Sequence, residues 1–257
     1  MAVYAATIFV SAFILFLVQP LMAKQILPWF GGSAAVWTTC MVFFQVALLI
    51  GYAYADASIR WLRPRTQVVL HIALVVLSLA ALPIVPDAVW KPLGDEDPTW
   101  QILGLLIATI GLPYLLLSTT GPLVQAWFAR SFPDGTVYRL FALSNFASLL
   151  ALIGYPFLLE PWVATRSQTW IWSGAYILFA ALVIAASIRS LRDQTDRGAS
   201  KPLADSPPEG AAPGLAEQVS WLLLSALGSY LLLGISNHIT INAVSYTHLR
   251  AHETLRY

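Results

Sequence analysis

Seven long apolar runs limit what this chain can fold into more than any other feature of it. Crossing a hydrocarbon core about 30 Å thick takes about 17–25 consecutive apolar residues in a helix, and each run falls within that range. Only 11% of the 257 residues are charged, against roughly 25% in soluble domains. The short alternating segments of a membrane β-barrel do not occur. The sequence therefore predicts an all-α, polytopic helical membrane protein whose main partner is the lipid bilayer.

The apolar runs also predict how the chain is divided. The seven predicted helices cover residues 5–22, 34–55, 68–85, 100–118, 140–159, 170–188 and 219–235. Segment 190–218 is rich in Pro, Gly, Ala and charge without apolar periodicity, which is typical of a flexible linker. We therefore expect a six-helix membrane block (1–189), a cytoplasmic linker (190–218) and a seventh helix that starts a second block (219–243). Segment 122–130 is an interfacial helix or an extension of the fourth span.

The positive-inside rule predicts the orientation of these spans. One side of the alternating spans carries Arg60, Arg63, Arg65, Arg130, Arg139, Arg189, Arg192, Arg197 and Lys201, and the other carries Lys24, Lys91 and Arg166. The N-terminus is therefore expected in the cytoplasm. The acidic loop GDEDP (94–98) is then external, where we expect it to be solvated; the alternative is that its carboxylates hold a hard cation.

Polar residues at membrane depth are the first candidates for function, because unsatisfied polar groups are costly in a bilayer. The predicted candidates are Gln19, Gln45, His71, Asn145, Asn237 and His238. For Gln19, Gln45 and Asn145 the alternative is ordinary hydrogen bonding between helices. For His71 a ligand or proton-relay role competes with a position facing water or a neighbouring helix.

Charged residues avoid the middle of the predicted spans, where a proton-coupled carrier commonly has a titrating carboxylate. Lys24, Asp56 and Glu160 lie at span ends. Pro20, Pro83, Pro113 and Pro156 interrupt helices, either to line a binding site or simply to kink the helix. The dinucleotide-binding and Walker motifs and paired His or Cys ligands do not occur. The single cysteine, Cys40, carries no redox or metal signal. We therefore predict no catalytic, cofactor-binding or metal-binding residue, no cofactor and no nucleic-acid partner.

The stretch QPLMAKQILPWFGGSAAVWTTCMVFFQVALLIGYAYA (19–55) resembles the N-terminal membrane region of the bacterial fused MFS/spermidine synthase family. LPYLLLSTTGPLVQAWFAR (112–130), YRLFALSNFASLLALIGYPFLLEP (138–161) and SNHITIN (236–242) extend the resemblance over nearly all of residues 5–243. It implies a multi-pass protein of the bacterial inner membrane, MFS-like by analogy. Many members also carry a C-terminal aminopropyltransferase-like domain of Rossmann type. Nothing in this chain matches that domain, so no catalytic residue is carried over.

The segment VSYTHLRAHET (244–254) resembles the conceptual translation of a transposase-type sequencing adapter. We therefore expect residues 244–257 to be non-native and the membrane region to be truncated. The alternatives are a metal site at His248 and His252, which are four residues apart with Glu253 beside them, and a basic tail that touches anionic lipid.

Three functions remain open from the sequence. The first is a truncated membrane domain of a spermidine-synthase-like fused protein, with aminopropyl transfer performed by a missing C-terminal domain. The second is a transporter or small-molecule-binding protein whose helices themselves carry the function, with a small amine as candidate substrate at Gln19, Gln45 and Asn145. The third is a membrane anchor that assembles partners. A fold-level label does not decide among them.

Overall fold

The computed structural model describes residues 1–31, 34–92, 98–132, 137–198 and 214–254, and all regular structure in these ranges is helical. The α-helices are α1 (Ala2–Phe30), α2 (Ala34–Trp61), α3 (Pro64–Ser78), α4 (Pro98–Leu106), α5 (Leu112–Ser131), α6 (Val137–Gly154), α7 (Glu160–Trp162), α8 (Thr165–Gly198) and α9 (Leu215–Thr254). Short 3₁₀ turns cover Leu79–Ala81 and Ala88–Trp90. One π-helical turn, Ile107–Gly111, joins α4 to α5, and a second, Tyr155–Leu159, joins α6 to α7.

Six helical stretches of the described residues are long and apolar enough to cross a membrane. They are Ala2–Phe30, Val36–Trp61, Pro64–Ala81, Pro98–Ser131, Val137–Trp162 and Thr165–Asp193. The prediction of an all-helical chain with long apolar helices is therefore confirmed for this part of the chain. The predicted seventh span, 219–235, lies within α9.

Several predicted span boundaries differ from the helix ends in the structure. Helix α1 continues through Pro20 and Pro28 to Phe30. The third span ends at Ala81 rather than 85, because the residue before Pro83 is disfavoured in a helix. Segment 122–130 is a direct extension of the fourth span within α5.

The predicted linker begins too early. Helix α8 continues through residues 190–198, a stretch whose Arg, Leu and Gln residues are good helix formers. Residues 199–213 of the predicted linker lie outside the described part of the chain.

The chain separates into two units, Met1–Lys201 and Pro202–Tyr257. In the second unit, α9 is one continuous helix from Leu215 to Thr254 and therefore includes residues 244–254 of the predicted adapter-derived tail. The first unit contains the other eight α-helices of the described residues.

Helix α1 is the centre of the first unit and packs against α2, α5, α6 and α8. Its apolar residues cover all sides of the helix, as expected of a helix surrounded by other spans. The indole Nε1 of Trp172 on α8 donates to the backbone oxygen of Ile14 at 2.9 Å. Helices α2 and α5 approach closely at Gly51, where an added Cβ would lie 2.9 Å from the Cβ of Ser118. Small residues at helix interfaces allow such approach in membrane proteins.

Contacts between helix ends show that consecutive spans alternate in direction. At one end, the Tyr4 hydroxyl lies 3.2 Å from Ser131 Oγ, which joins the start of α1 to the end of α5. At the other end, Lys91 Nζ lies 5.1 Å from the centre of the Trp29 ring. We call the first the Arg-rich end, because it carries Arg60, Arg63, Arg65, Arg130, Arg139, Arg189 and Arg192, and the second the opposite end.

Candidate functional site

A cavity of about 490 Å³ lies near the opposite end, between α1, α2 and the chain that links α6 to α7. Its polar lining is Gln19, Lys24, Tyr155 and Glu160, with Cys40. Its apolar lining includes Leu27, Trp37, Met41, Phe44 and Leu152. We call it the charged cavity, because it contains one cation and one anion. Its size is typical of small-molecule sites, which are mostly apolar with a few polar groups that orient the ligand.

The charges of this cavity form an ion pair between distant parts of the chain. Lys24 Nζ on α1 lies 3.0 Å from Glu160 Oε1, the first residue of α7. The two side chains are 35% and 44% exposed. A pair this exposed contributes only about 0–1 kcal/mol to stability. Both charges therefore remain accessible. The small gain in stability does not explain why the two side chains lie together.

Tyr155 lines the charged cavity, and Tyr114 holds Gln19 from behind the lining. Gln19 Nε2 donates to the hydroxyl of Tyr114 at 3.1 Å, and the Tyr114 ring packs 4.9 Å from that of Phe44. Tyr155 is only 5% exposed, and its hydroxyl has no hydrogen-bond partner among the described residues. A buried polar group left unsatisfied costs about 1–3 kcal/mol, so this hydroxyl lowers the stability of the unliganded fold.

Helix irregularities bring these groups together. Pro156 lies in the π-helical turn Tyr155–Leu159, just before Glu160. Residues five apart in a regular α-helix point about 140° away from each other. The wider π turn reduces that angle, which lets Tyr155 and Glu160 face the same cavity. Such single π turns are frequent at functional sites. Pro20 on α1 also lines the cavity, and it removes one backbone donor from the helix there.

A second cavity, of about 400 Å³, lies in the half of the bundle nearer the Arg-rich end. Its polar lining is Ser11, Tyr52, Ser118, Gln125, Ser144 and Asn145, with Ser148. We call it the neutral cavity, because none of the described residues that line it is charged. The two cavities use the same sides of α1 and α6. Together they follow α1 from Ser11 to Leu27, about 24 Å at 1.5 Å per residue.

The structure separates the three amides predicted as one group. Gln19 lines the charged cavity and makes an interhelical hydrogen bond. Asn145 lines the neutral cavity. Gln45 is exposed on α2, at helical spacing between Met41 and Tyr52, and lines neither cavity. Among the described residues, neither Gln45 nor Asn145 makes a hydrogen bond to another helix, and interhelical bonding stays a prediction for both.

The predicted histidines lie elsewhere. His71 is 1% exposed; its ring centre is 6.2 Å from that of Tyr54 and 5.9 Å from that of Trp127. It therefore faces neighbouring helices rather than water or a cavity. His238 is exposed on α9. The side chain of Asn237 and the acidic residues 95–97 lie outside the described residues. Within the described ranges, no cluster of His, Cys, Asp and Glu could hold a metal ion.

A buried polar network near the Arg-rich end was not predicted. Gln67 Oε1 accepts from Trp127 Nε1 and from Arg130 Nη1, each at 3.2 Å. Gln67 Nε2 donates to Ser58 Oγ at 3.3 Å. The network joins α2, α3 and α5 through one amide. Because Gln67 directly precedes an apolar run, its sequence position suggested a loop rather than a core.

Comparison of the chain with protein-family models, with curated proteins and with solved structures finds no match.

Proposed function

We propose that this chain is the membrane region of a fused spermidine-synthase-like protein, MFS-like in its helical arrangement, and that its helices bind a small polar molecule in the charged cavity. Aminopropyl transfer then belongs to a separate domain. The resemblance supports this proposal, because all described residues that line the charged cavity fall within 19–55 or 138–161. These are two of the stretches that resemble the family.

One observation carries the binding part of the proposal. A cavity of small-molecule size contains an accessible ion pair, Lys24 with Glu160. Groups of this kind give a ligand orientation and specificity. The small contribution of an exposed pair to stability does not account for this pair.

The orientation of the site follows from the positive-inside rule. We place the Arg-rich end in the cytoplasm of a bacterial cell and the charged cavity on the outer side of the inner membrane. A ligand then reaches Lys24 and Glu160 from outside the cell membrane, at the level of the lipid headgroups.

The binding proposal is tested with the full chain, purified in a non-ionic detergent, by ligand-dependent thermal unfolding. The panel is putrescine, spermidine, L-leucine and lysophosphatidylethanolamine. At least one compound is expected to raise the unfolding temperature in a concentration-dependent way, because it binds only the folded state. Met41→Trp, at the mouth of the cavity, should abolish the shift. Leu49→Trp is the matched control, since Leu49 is exposed on the same helix and lines neither cavity. A panel without any shift, or an equal shift in Met41→Trp, contradicts the proposal.

The enzymatic part is tested separately. The full chain is expected to show no turnover of decarboxylated S-adenosylmethionine with putrescine, and turnover would overturn the assignment of that step to another domain.

Resequencing the genomic locus around the Ala243 codon tests the adapter interpretation of 244–257. We expect a native continuation there, with a Rossmann-type glycine motif after the last span.

Transport is a second candidate function, and the neutral cavity favours it. The two cavities occupy different halves of the bundle along the same sides of α1 and α6. Broken helices around such sites are common in transporters, and Pro20 and Pro156 both line the charged cavity. Uptake of a panel compound by proteoliposomes tests this function. If a compound binds but is not taken up, the chain recognises that compound without transporting it.

A further inference from the structure

The charged cavity presents two opposite charges to whatever enters it. Lys24 Nζ and Glu160 Oε1 lie 3.0 Å apart, and both side chains are partly exposed. Within the described lining, these are the cavity's charged groups. A ligand that reaches them must therefore satisfy both charges, or leave one of them without a partner.

A singly charged ligand cannot satisfy this pair. An amine that binds Glu160 competes with Lys24 for the carboxylate and places two positive charges side by side, which is unfavourable. A carboxylate that binds Lys24 competes with Glu160 for the ammonium group and places two negative charges side by side. A zwitterion avoids both defects, because each of its charges lies against the opposite charge of the pair and each contact is a charge-assisted hydrogen bond.

The rest of the lining requires an apolar portion in the ligand. Trp37, Met41 and Phe44 on α2 face the cavity together with Leu152 on α6. These side chains gain free energy when apolar surface covers them. Tyr155 lines the same cavity through its ring, while its hydroxyl is shielded from solvent, so the ion pair is the polar part of the lining that a ligand meets directly.

We infer that the ligand of the charged cavity is a small zwitterion with an apolar portion, whose anionic group contacts Lys24 and whose ammonium group contacts Glu160. This inference rests on the proposed binding function and replaces the simple amine suggested by the sequence. Two sources supply this chemistry: a free apolar α-amino acid, and a phosphoethanolamine lipid headgroup with its acyl chain.

The test measures equilibrium binding to the full chain in a non-ionic detergent, by isothermal titration. The probes are L-leucine; isoamylamine, which lacks its carboxylate; 4-methylpentanoate, which lacks its amine; and lysophosphatidylethanolamine. We expect at least one zwitterion to bind about tenfold or more tightly than either singly charged analogue, a ratio that corresponds to about 1.4 kcal/mol. Binding of leucine identifies a free amino acid as the source, and binding of the lysolipid alone identifies the headgroup.

Charge reversal links the selectivity to this pair. Lys24→Glu and Glu160→Lys are each expected to weaken zwitterion binding about tenfold or more, and the double exchange is expected to restore most of it. The control is the exchange of Asp56 and Arg60, an exposed ion pair of 2.7 Å at the Arg-rich end, which should leave binding unchanged. Circular dichroism and gel filtration establish that each variant is folded.

If the single reversals do not fold, neutral variants take their place. Lys24→Met should then prefer isoamylamine, and Glu160→Gln should prefer 4-methylpentanoate, because each variant keeps one charge. The inference is overturned if a singly charged analogue binds wild type as tightly as the zwitterions, or if the variants leave zwitterion binding intact. Both of those results leave the proposed binding function standing. Absence of binding by every probe removes the function and the inference together.

Discussion

The charged and the neutral cavity are built on the same sides of α1 and α6, yet their polar groups are used differently. In the neutral cavity, the hydroxyls of Ser11, Ser118 and Ser148 donate to backbone oxygens of their own helices at 3.0, 2.6 and 2.9 Å. In the charged cavity, the Tyr155 hydroxyl has no partner in the described part of the chain. Unbonded polar groups alone do not separate the cavities, because Asn145 of the neutral cavity also has no hydrogen bond among the described residues; the accessible ion pair of the charged cavity does.

Depth in the membrane explains the difference in charge. Charged side chains are tolerated near span ends, where they reach the interface, and are costly at the centre. Lys24 and Glu160 lie towards the opposite end, near the ends of their helical stretches. Neutral hydroxyls and amides, which line the other cavity, are the polar groups that a membrane interior accepts more readily.

The largest expected effect concerns the sides of the membrane on which the two cavities lie. Val89→Cys and Arg63→Cys, each made in a Cys40→Ser background, place one thiol at the opposite end or at the Arg-rich end. Both positions are exposed. A membrane-impermeant maleimide is expected to label Val89→Cys in intact cells, and Arg63→Cys only after permeabilisation. The reverse pattern would invert the orientation and place the charged cavity in the cytoplasmic half.

The second-largest expected effect concerns the packing of α2 on α5, because residues of α2 line both cavities. Gly51→Ala is expected to lower the free energy of unfolding by about 1–3 kcal/mol, the usual cost of overpacking, because the new Cβ meets Ser118. Adding Ser118→Gly should recover part of the loss. Gly174→Ala is the matched control, since no atom lies within 4 Å of a Cβ built there. Denaturant unfolding in detergent measures all three, and an unchanged Gly51→Ala contradicts the packing described.

A smaller effect separates the two classes of hydroxyl directly. Tyr155→Phe removes a buried hydroxyl without a partner among the described residues. It is therefore expected to raise the free energy of unfolding of the unliganded protein by about 1 kcal/mol. Ser148→Ala removes a hydroxyl already bonded within its helix and should not be stabilising. If both substitutions destabilise the protein equally, the contrast between the cavities is lost.

The smallest expected effect is that of the ion pair on stability. Lys24→Met should change the free energy of unfolding by less than about 1 kcal/mol, as for other exposed pairs. Arg60→Met, which removes the exposed pair with Asp56, is the comparison. A much larger loss in Lys24→Met would make the pair a structural element and remove the argument that it is kept for a ligand.

The helical class and six of the spans were predictable, because hydrophobic length is a local property of the sequence. The boundaries were less so: α1 passes through Pro20 and Pro28 without ending, and α8 continues to Gly198. In these places, packing and helix-forming residues outweigh local breakers.

The site was predictable only in part. Gln19 was among the predicted candidates, and it lines the charged cavity. The alternation of spans placed Lys24 and Glu160 on the same side. Their contact joins residues 136 positions apart and depends on α1 and α6 being neighbours, which one sequence does not reveal. The π turn at Tyr155–Leu159 and the exposed position of Gln45 are likewise products of packing.

Whether a small molecule binds in the charged cavity is tested with one thiol placed at Trp37 in a Cys40→Ser background. Trp37 lines that cavity and is 43% exposed, whereas Cys40, the only native cysteine, is buried. The measurement is the rate at which methyl methanethiosulfonate modifies this variant, with and without each compound of the binding panel. At least one compound is expected to slow the reaction saturably, and Met41→Trp is expected to remove this protection. A rate that no compound changes, at concentrations that saturate binding measured by titration, would contradict binding in the charged cavity.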